Sequence, residues 1–123
     1  MNGNSLLVDT NIILYLLGGD KTIIPILENK NLFISFITEL ELLSFKNLSN
    51  TEIVIVKNFL SECSILDINS KIKELAIDIR KKYKLKLPDT IVLATSQYLN
   101  IPILSADNQF NQVKEIDLIY YKK

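Results

Sequence analysis

Five short apolar runs of strand-forming composition recur along the chain, each separated from the next by a segment of helical character. They are SLLVD (5–9), LFISF (32–36), SILDI (64–68), IPILS (101–105) and DLIYY (117–121). Between them the pattern predicts helices over 11–17, 21–29, 38–45, 51–62, 70–84, 88–99 and 107–113. Strands alternating with helices through a whole chain predict an α/β three-layer sandwich around a mainly parallel, four- to five-stranded sheet, with the last strand at an edge. At 123 residues the chain is expected to be a single domain over 1–123, large enough to bury its own core. In such sheets ligands bind beyond the C-terminal ends of the strands, so the polar residues at those ends are where function is sought.

Local chemistry sets expected boundaries. Thr38 is expected as N-cap of the helix 38–45, Thr51 opens 51–62, and Pro88 takes the first position of 88–99. Gly18-Gly19 stops the first helix. The run Ile53-Val54-Ile55-Val56 is rich in β-branched residues and pulls against the helix predicted there.

The first run raises a question of its own. Leu6, Leu7 and Val8 suit the middle of a buried strand, Asp9-Thr10-Asn11 follows, and Ile12 to Tyr15 resume the apolar character at once. Burying a lone carboxylate costs several kcal/mol or more. Either Asp9 caps a helix or something positive comes to meet it.

Absences narrow the chemistry. The chain has no histidine, which removes Ser-His-Asp and Cys-His catalysis and any histidine-based zinc site. Its glycines, Gly3, Gly18 and Gly19, cannot write a phosphate-binding or dinucleotide-binding loop. Cys63 is the single cysteine, so no internal disulfide forms. No apolar run approaches the ~20 residues of a membrane-spanning helix, and no secretory signal pattern opens the chain. The expected location is cytoplasmic, with no membrane partner.

Formal net charge is zero, which argues against a general electrostatic nucleic-acid binder. The distribution is uneven. Half of the 14 positive charges lie between Lys71 and Lys86, opposed there by Glu74 and Asp78. A solvated helix face is the plain reading of such a run. Because it leads straight into LPDT (87–90), Arg80, Lys81, Lys82, Lys84 and Lys86 are also candidates for guiding a phosphate backbone, with Tyr83 beside them able to stack a base or simply to pack at the core boundary.

Four acids fall at the predicted strand ends or helix starts. Asp9 closes strand one, Glu41 lies in the first turn after strand two, Asp89 opens helix 88–99, and Asp107 follows strand four. Each has a structural explanation: Thr38-Glu39-Leu40-Glu41 fits a capping box, and the three aspartates suit helix N-termini. Together they mean more. Four converging carboxylates with no histidine repel one another unless a cation neutralises them, and hard oxygen ligands select Mg²⁺ or Mn²⁺.

LLVDTNIIL, ISFITELELL and LKLPDTIVLATSQYLNIPILSADNQF resemble the successive motifs of the PIN-domain family, especially its short VapC-type toxins. The resemblance spans nearly the whole chain, and its specificity lies in the order and spacing of four motifs. It implies that Asp9, Glu41, Asp89 and Asp107 are the catalytic and metal-holding acids, and it favours Glu41 over Glu39, which points to the other side of the helix. Thr10, Asn11 and Ser105 would orient those carboxylates. The implied activity is Mg²⁺- or Mn²⁺-dependent endoribonuclease action on RNA, in a homodimer held in check by a cognate antitoxin protein. The apolar helices 11–17 and 51–62 carry a surplus that such partners would cover. Two positions depart from the family pattern: Gln109 stands where many relatives carry an aspartate, and Ser105 replaces a threonine.

Other readings compete. A phosphoacceptor receiver domain suits the length and alternation, but needs an acidic pair after strand one, an aspartate after strand three and a lysine after the last inner strand. The chain offers one acid, Asn69-Ser70-Lys71 and ILSAD at these places. A catalytically inert PIN-like domain that binds RNA or protein, and a PIN nuclease of housekeeping RNA processing, are the remaining alternatives.

Overall fold

A computed structural model describes residues 4–123; Met1 to Gly3, part of the single domain expected over 1–123, lie outside it. Five strands, β1 (Ser5–Val8), β2 (Asn31–Ser35), β3 (Ser64–Leu66), β4 (Ile103–Ser105) and β5 (Leu118–Tyr120), form one sheet in the order β3-β2-β1-β4-β5. Every neighbouring pair is parallel. The α-helices are α1 (Thr10–Leu17), α2 (Ile24–Leu27), α3 (Phe36–Leu43), α4 (Asn50–Ser61), α5 (Ser70–Lys82) and α6 (Leu87–Leu99). Single 3₁₀ segments lie at Lys21–Ile23 and Asn108–Gln112.

Period-two alternation along the strands divides the core into two layers. Leu7, Phe33, Ile103 and Leu118 share one face, where α5 and α6 cover them with Ile72, Ala76, Ile79, Val92 and Leu93. Leu6, Val8, Ile34 and Leu104 share the other, under α1, α3 and α4 through Ile12, Ile13, Leu42, Val56 and Leu60. The register agrees, with Leu7 opposite both Phe33 and Ile103, and Val8 opposite Leu104. This is the three-layer α/β/α sandwich with a parallel sheet.

The strand order sets the place of the site. The chain runs outward from β1 to β2 and β3, then returns over α5 and α6 to lay β4 on the other side of β1. The connections leaving β1 and β4 therefore diverge, opening a crevice at their C-terminal ends. A receiver-like sheet has the order 2-1-3-4-5 instead, so topology excludes that reading. The sequence ground for rejecting it is weaker than expected, because β3 ends at Leu66 and Asp67 follows it.

Several boundaries differ from expectation, the starts of α3 and α4 through capping. Helix α3 starts at Phe36, not at Thr38: Ser35 is the N-cap, its side chain accepting from the Ile37 amide. Thr38 is thus inside the helix and fully buried, on the same face as Leu42. No capping box joins Thr38 to Glu41, and Glu41 lies in the second turn. Helix α4 opens at Asn50 under Ser49, which forms a reciprocal capping box with Glu52, so Thr51 is already helical. The β-branched run stays helical because Val56 is buried while Val54 and Ile55 are exposed. Pro88 occupies the second position of α6, after Leu87. The helices expected at 21–29 and 107–113 are short, 3₁₀ in part or wholly. Gly19, at φ +101°, turns the chain out of α1 as expected of the glycine pair.

Candidate active site

Asp9, Thr10 and Asn11 follow β1 directly, and each holds a different neighbour. Asp9 is 8% exposed. It is the N-cap of α1, with Oδ1 accepting from the Thr10 amide at 2.9 Å and Oδ2 accepting from the Ser105 hydroxyl at 2.7 Å. Ser105, the last residue of β4, also accepts from the Asp107 amide at 3.0 Å. One hydroxyl therefore ties the ends of β1 and β4 together across the crevice.

Thr10 reaches the other way. Its hydroxyl donates to Glu41 Oε1 at 2.6 Å and lies 3.1 Å from the hydroxyl of buried Thr38. This is the use of Thr38: it backs Thr10, which anchors Glu41. Asn11 Oδ1 accepts from the Ala106 amide at 3.2 Å and so fixes the turn that carries Asp107. Asp107 caps the following 3₁₀ segment through the Gln109 amide. The side chain of Gln109 is exposed, and Ser105 supplies the same hydroxyl that a threonine would.

Asp9, Glu41, Asp89 and Asp107 line one cleft of about 390 Å³ together with Thr10 and Asn11. Asp89 stands in the first turn of α6, half-buried, with no hydrogen bond to its carboxylate among the described residues. Leu14, Ser44 and Phe45 complete the wall. These three were not anticipated from the sequence, although helical spacing points to two of them: Leu14 lies one turn beyond Thr10, and Ser44, the C-cap of α3, one turn beyond Glu41, with Phe45 following in the α3–α4 connection.

The acids act on one another. Burial pushes the Asp9 carboxyl up to about 6 from 3.8, with the charges of Asp89 and Glu41 adding to the rise, while the bonds from Ser105 and Thr10 oppose it. Asp89 is also raised, first by burial and then by Asp107 and Glu41, and Lys86 is the cation that offsets this. Among the described residues no lysine or arginine lines the cleft. The site is an oxygen-only, net negative pocket, the donor chemistry that suits Mg²⁺ or Mn²⁺. Among the described residues no three carboxylates close on a common point as direct ligands. That openness suits an ion held by one or two carboxylates that keeps much of its water.

The basic segment divides. Lys86 acts on Asp89. Lys82 pairs with Glu115 at 2.7 Å, and Arg80 and Lys81 border a separate apolar groove of about 460 Å³ beside Ile77, Leu87 and Ile91. Lys84 is exposed in the α5–α6 connection. Tyr83 packs at the core boundary, its hydroxyl donating to Glu115 Oε1 at 2.7 Å.

The PIN domain family model matches residues 6–116. A curated relative, ribonuclease VapC2 of Methanocaldococcus jannaschii, is 30% identical over 97% of this chain and 95% of its own. A toxin-antitoxin complex from Klebsiella pneumoniae contains a chain that superposes with TM-score 0.80 at 30% identity, over 93% of this chain and 95% of that one. VapBC2 from Rickettsia felis, solved bound to a DNA fragment from its promoter, shares the fold with TM-score 0.85 at 19% identity, over 96% and 99% of the two chains.

Proposed function

The chain belongs to the PIN-domain family, and from that premise we propose that it is a divalent-metal-dependent endoribonuclease, the toxin of a VapBC-like toxin–antitoxin pair. The observation that carries the catalytic part is the meeting of Asp9, Glu41, Asp89 and Asp107 in one cleft without a positive side chain. A purely structural cluster would pair these charges; here Asp9 is desolvated among like charges instead.

Asp9, Glu41 and Asp89 would hold the first ion, directly or through water, with Asp107 toward a second. A bound Mg²⁺ or Mn²⁺ supplies charge neutralisation at the scissile phosphate and a water of lowered pKa, so no histidine base is required. The protein's own residues keep the acids in place. Ser105 orients Asp9, Thr10 orients Glu41, and Asn11 holds the turn that carries Asp107. Lys86 is the basic residue best placed to receive the RNA backbone beside Asp89.

An antitoxin partner is supported by the Klebsiella pneumoniae relative, which is solved in a toxin–antitoxin complex. On this chain, exposed Leu17 on α1 and Val54 and Ile55 on α4 supply apolar surface for an antitoxin or a second copy. Among the described residues no helix is long and apolar enough to cross a membrane.

Incubating the chain with a panel of transfer and ribosomal RNAs in Mn²⁺, and again in excess chelator, tests the proposal. Cleavage that chelator abolishes supports it. Binding without cleavage in any divalent ion favours the inert RNA-binding alternative.

A further inference from the structure

We propose that Phe45 is the base-stacking platform of the acid cleft, holding an unpaired nucleobase beside the phosphodiester that the carboxylates address. This rests on the nuclease reading and names the substrate feature it selects, a single-stranded segment.

Phe45 is the aromatic residue of the cleft wall, standing in the α3–α4 connection just after Ser44, the C-cap of α3. It is 44% exposed and belongs to neither core layer, whereas its chain neighbours Leu42 and Leu48 pack inward. With nearly half of its surface in water, the ring forgoes part of the burial energy an aromatic side chain can contribute to folding. Its position beside Thr10, Glu41 and Leu14, itself exposed, gives the cleft one hard anionic wall and one apolar wall. Those two walls match the two parts of a nucleotide, a phosphate that reaches the carboxylates through a cation and a base with a π-face. A second cleft of about 370 Å³, bordered by Leu43, Ile53 and Lys57, shares Phe45 with the first and places a cation there for a following phosphate. Tyr83, the aromatic of the basic segment, is held at the core boundary by Glu115 and does not line this cleft. Bases inside a duplex cannot present a face to a side chain, so stacking here requires an unpaired nucleotide.

The chain contains no tryptophan, so Phe45→Trp introduces a single reporter. In an Asp89→Asn background with Mn²⁺, a short mixed-sequence single-stranded RNA is expected to quench its emission saturably. The same sugar-phosphate chain with abasic residues is expected not to. In the otherwise wild-type chain, Phe45→Ala is expected to raise KM for single-stranded RNA about 5- to 100-fold with little change in kcat, and Phe45→Tyr to restore it. Quenching without cleavage by the wild-type chain would leave stacking standing and remove the nuclease reading. Cleavage with KM unchanged in Phe45→Ala and Phe45→Leu, or equal quenching by the abasic chain, would overturn the stacking role and leave this wall to a protein partner. Should the alanine variant fail to fold, the quenching experiment decides.

Discussion

The Ser105 hydroxyl donates to Oδ2 of Asp9 across the crevice between β4 and β1, at 2.7 Å. The same oxygen accepts from the amide of Asp107, so two of the four cleft acids share one positioning group. Ser105 is fully buried, and its orientation is fixed by having both a donor and an acceptor partner.

Ser105→Ala removes that link. RNA cleavage is expected to fall about 10- to 100-fold, because the Asp9 carboxylate loses its orientation. The Ser105 bond also opposes the rise in the Asp9 pKa, so the acid limb of the pH–rate profile should move to higher pH. Ser105→Thr should retain both rate and profile. A rate profile across pH for the three proteins checks this.

Asp9 makes the metal-free fold pH-sensitive. Its carboxyl titrates near 3.8 when unfolded and at about 6 when folded. Between these values the native chain binds the extra proton, so stability falls as pH rises and the full penalty is present above about pH 6. The penalty amounts to at most about 3 kcal/mol. Asp9→Asn should therefore stabilise the chelator-treated protein near neutral pH and lose that advantage at about pH 4. Urea melts at the two pH values measure it, and the same variant should be inactive on RNA.

Thr10→Val frees Glu41 and leaves the buried hydroxyl of Thr38 without its partner. A stability loss of about 1–3 kcal/mol is expected from the unpaired group, together with reduced cleavage. Thr10→Ser should recover both. Thermal melts beside initial rates separate the two effects.

Ser49→Ala tests the cap that opens α4. It removes the hydroxyl that accepts from the Glu52 amide, while the backbone amide of residue 49 can still donate to Glu52 Oε1, and should cost about 1 kcal/mol, with cleavage unchanged because α4 does not line the acid cleft. Thr51→Ala, inside the helix and exposed, should stay within about 0.5 kcal/mol of wild type. Equilibrium unfolding of the two variants distinguishes the caps.

The layers were legible in the sequence because period-two alternation in LLV and ISF and the apolar spacing of α5 sort residues onto faces without tertiary information. Cap choice was not. In SFIT, Ser35 and Thr38 are equally competent caps, and burial of Thr38 against Thr10, which is a long-range contact, decides for Ser35. At α4 the choice is local instead: Ser49 stands three residues before Glu52 and boxes with it, while Thr51 lies exposed inside the helix. The four acids were visible through their motifs and through the rule that sites gather at strand ends. Which hydroxyl serves which carboxylate was not, since the Ser105–Asp9 and Thr10–Glu41 bonds join residues far apart in the chain. Phe45 carried no motif; its role emerges only when the α3–α4 connection is seen to border the acids.

If these carboxylates form a metal-dependent nuclease centre, Asp89 tests it most directly, because among the described residues no hydrogen bond gives its carboxylate a structural duty. Wild type and Asp89→Asn, purified identically, are compared for cleavage of a mixed RNA panel in Mn²⁺ and in excess EDTA. The account predicts cleavage by the wild type in Mn²⁺ alone, and none by the variant, which keeps its fold. Equal cleavage by both proteins, or wild-type cleavage that survives EDTA, would contradict it.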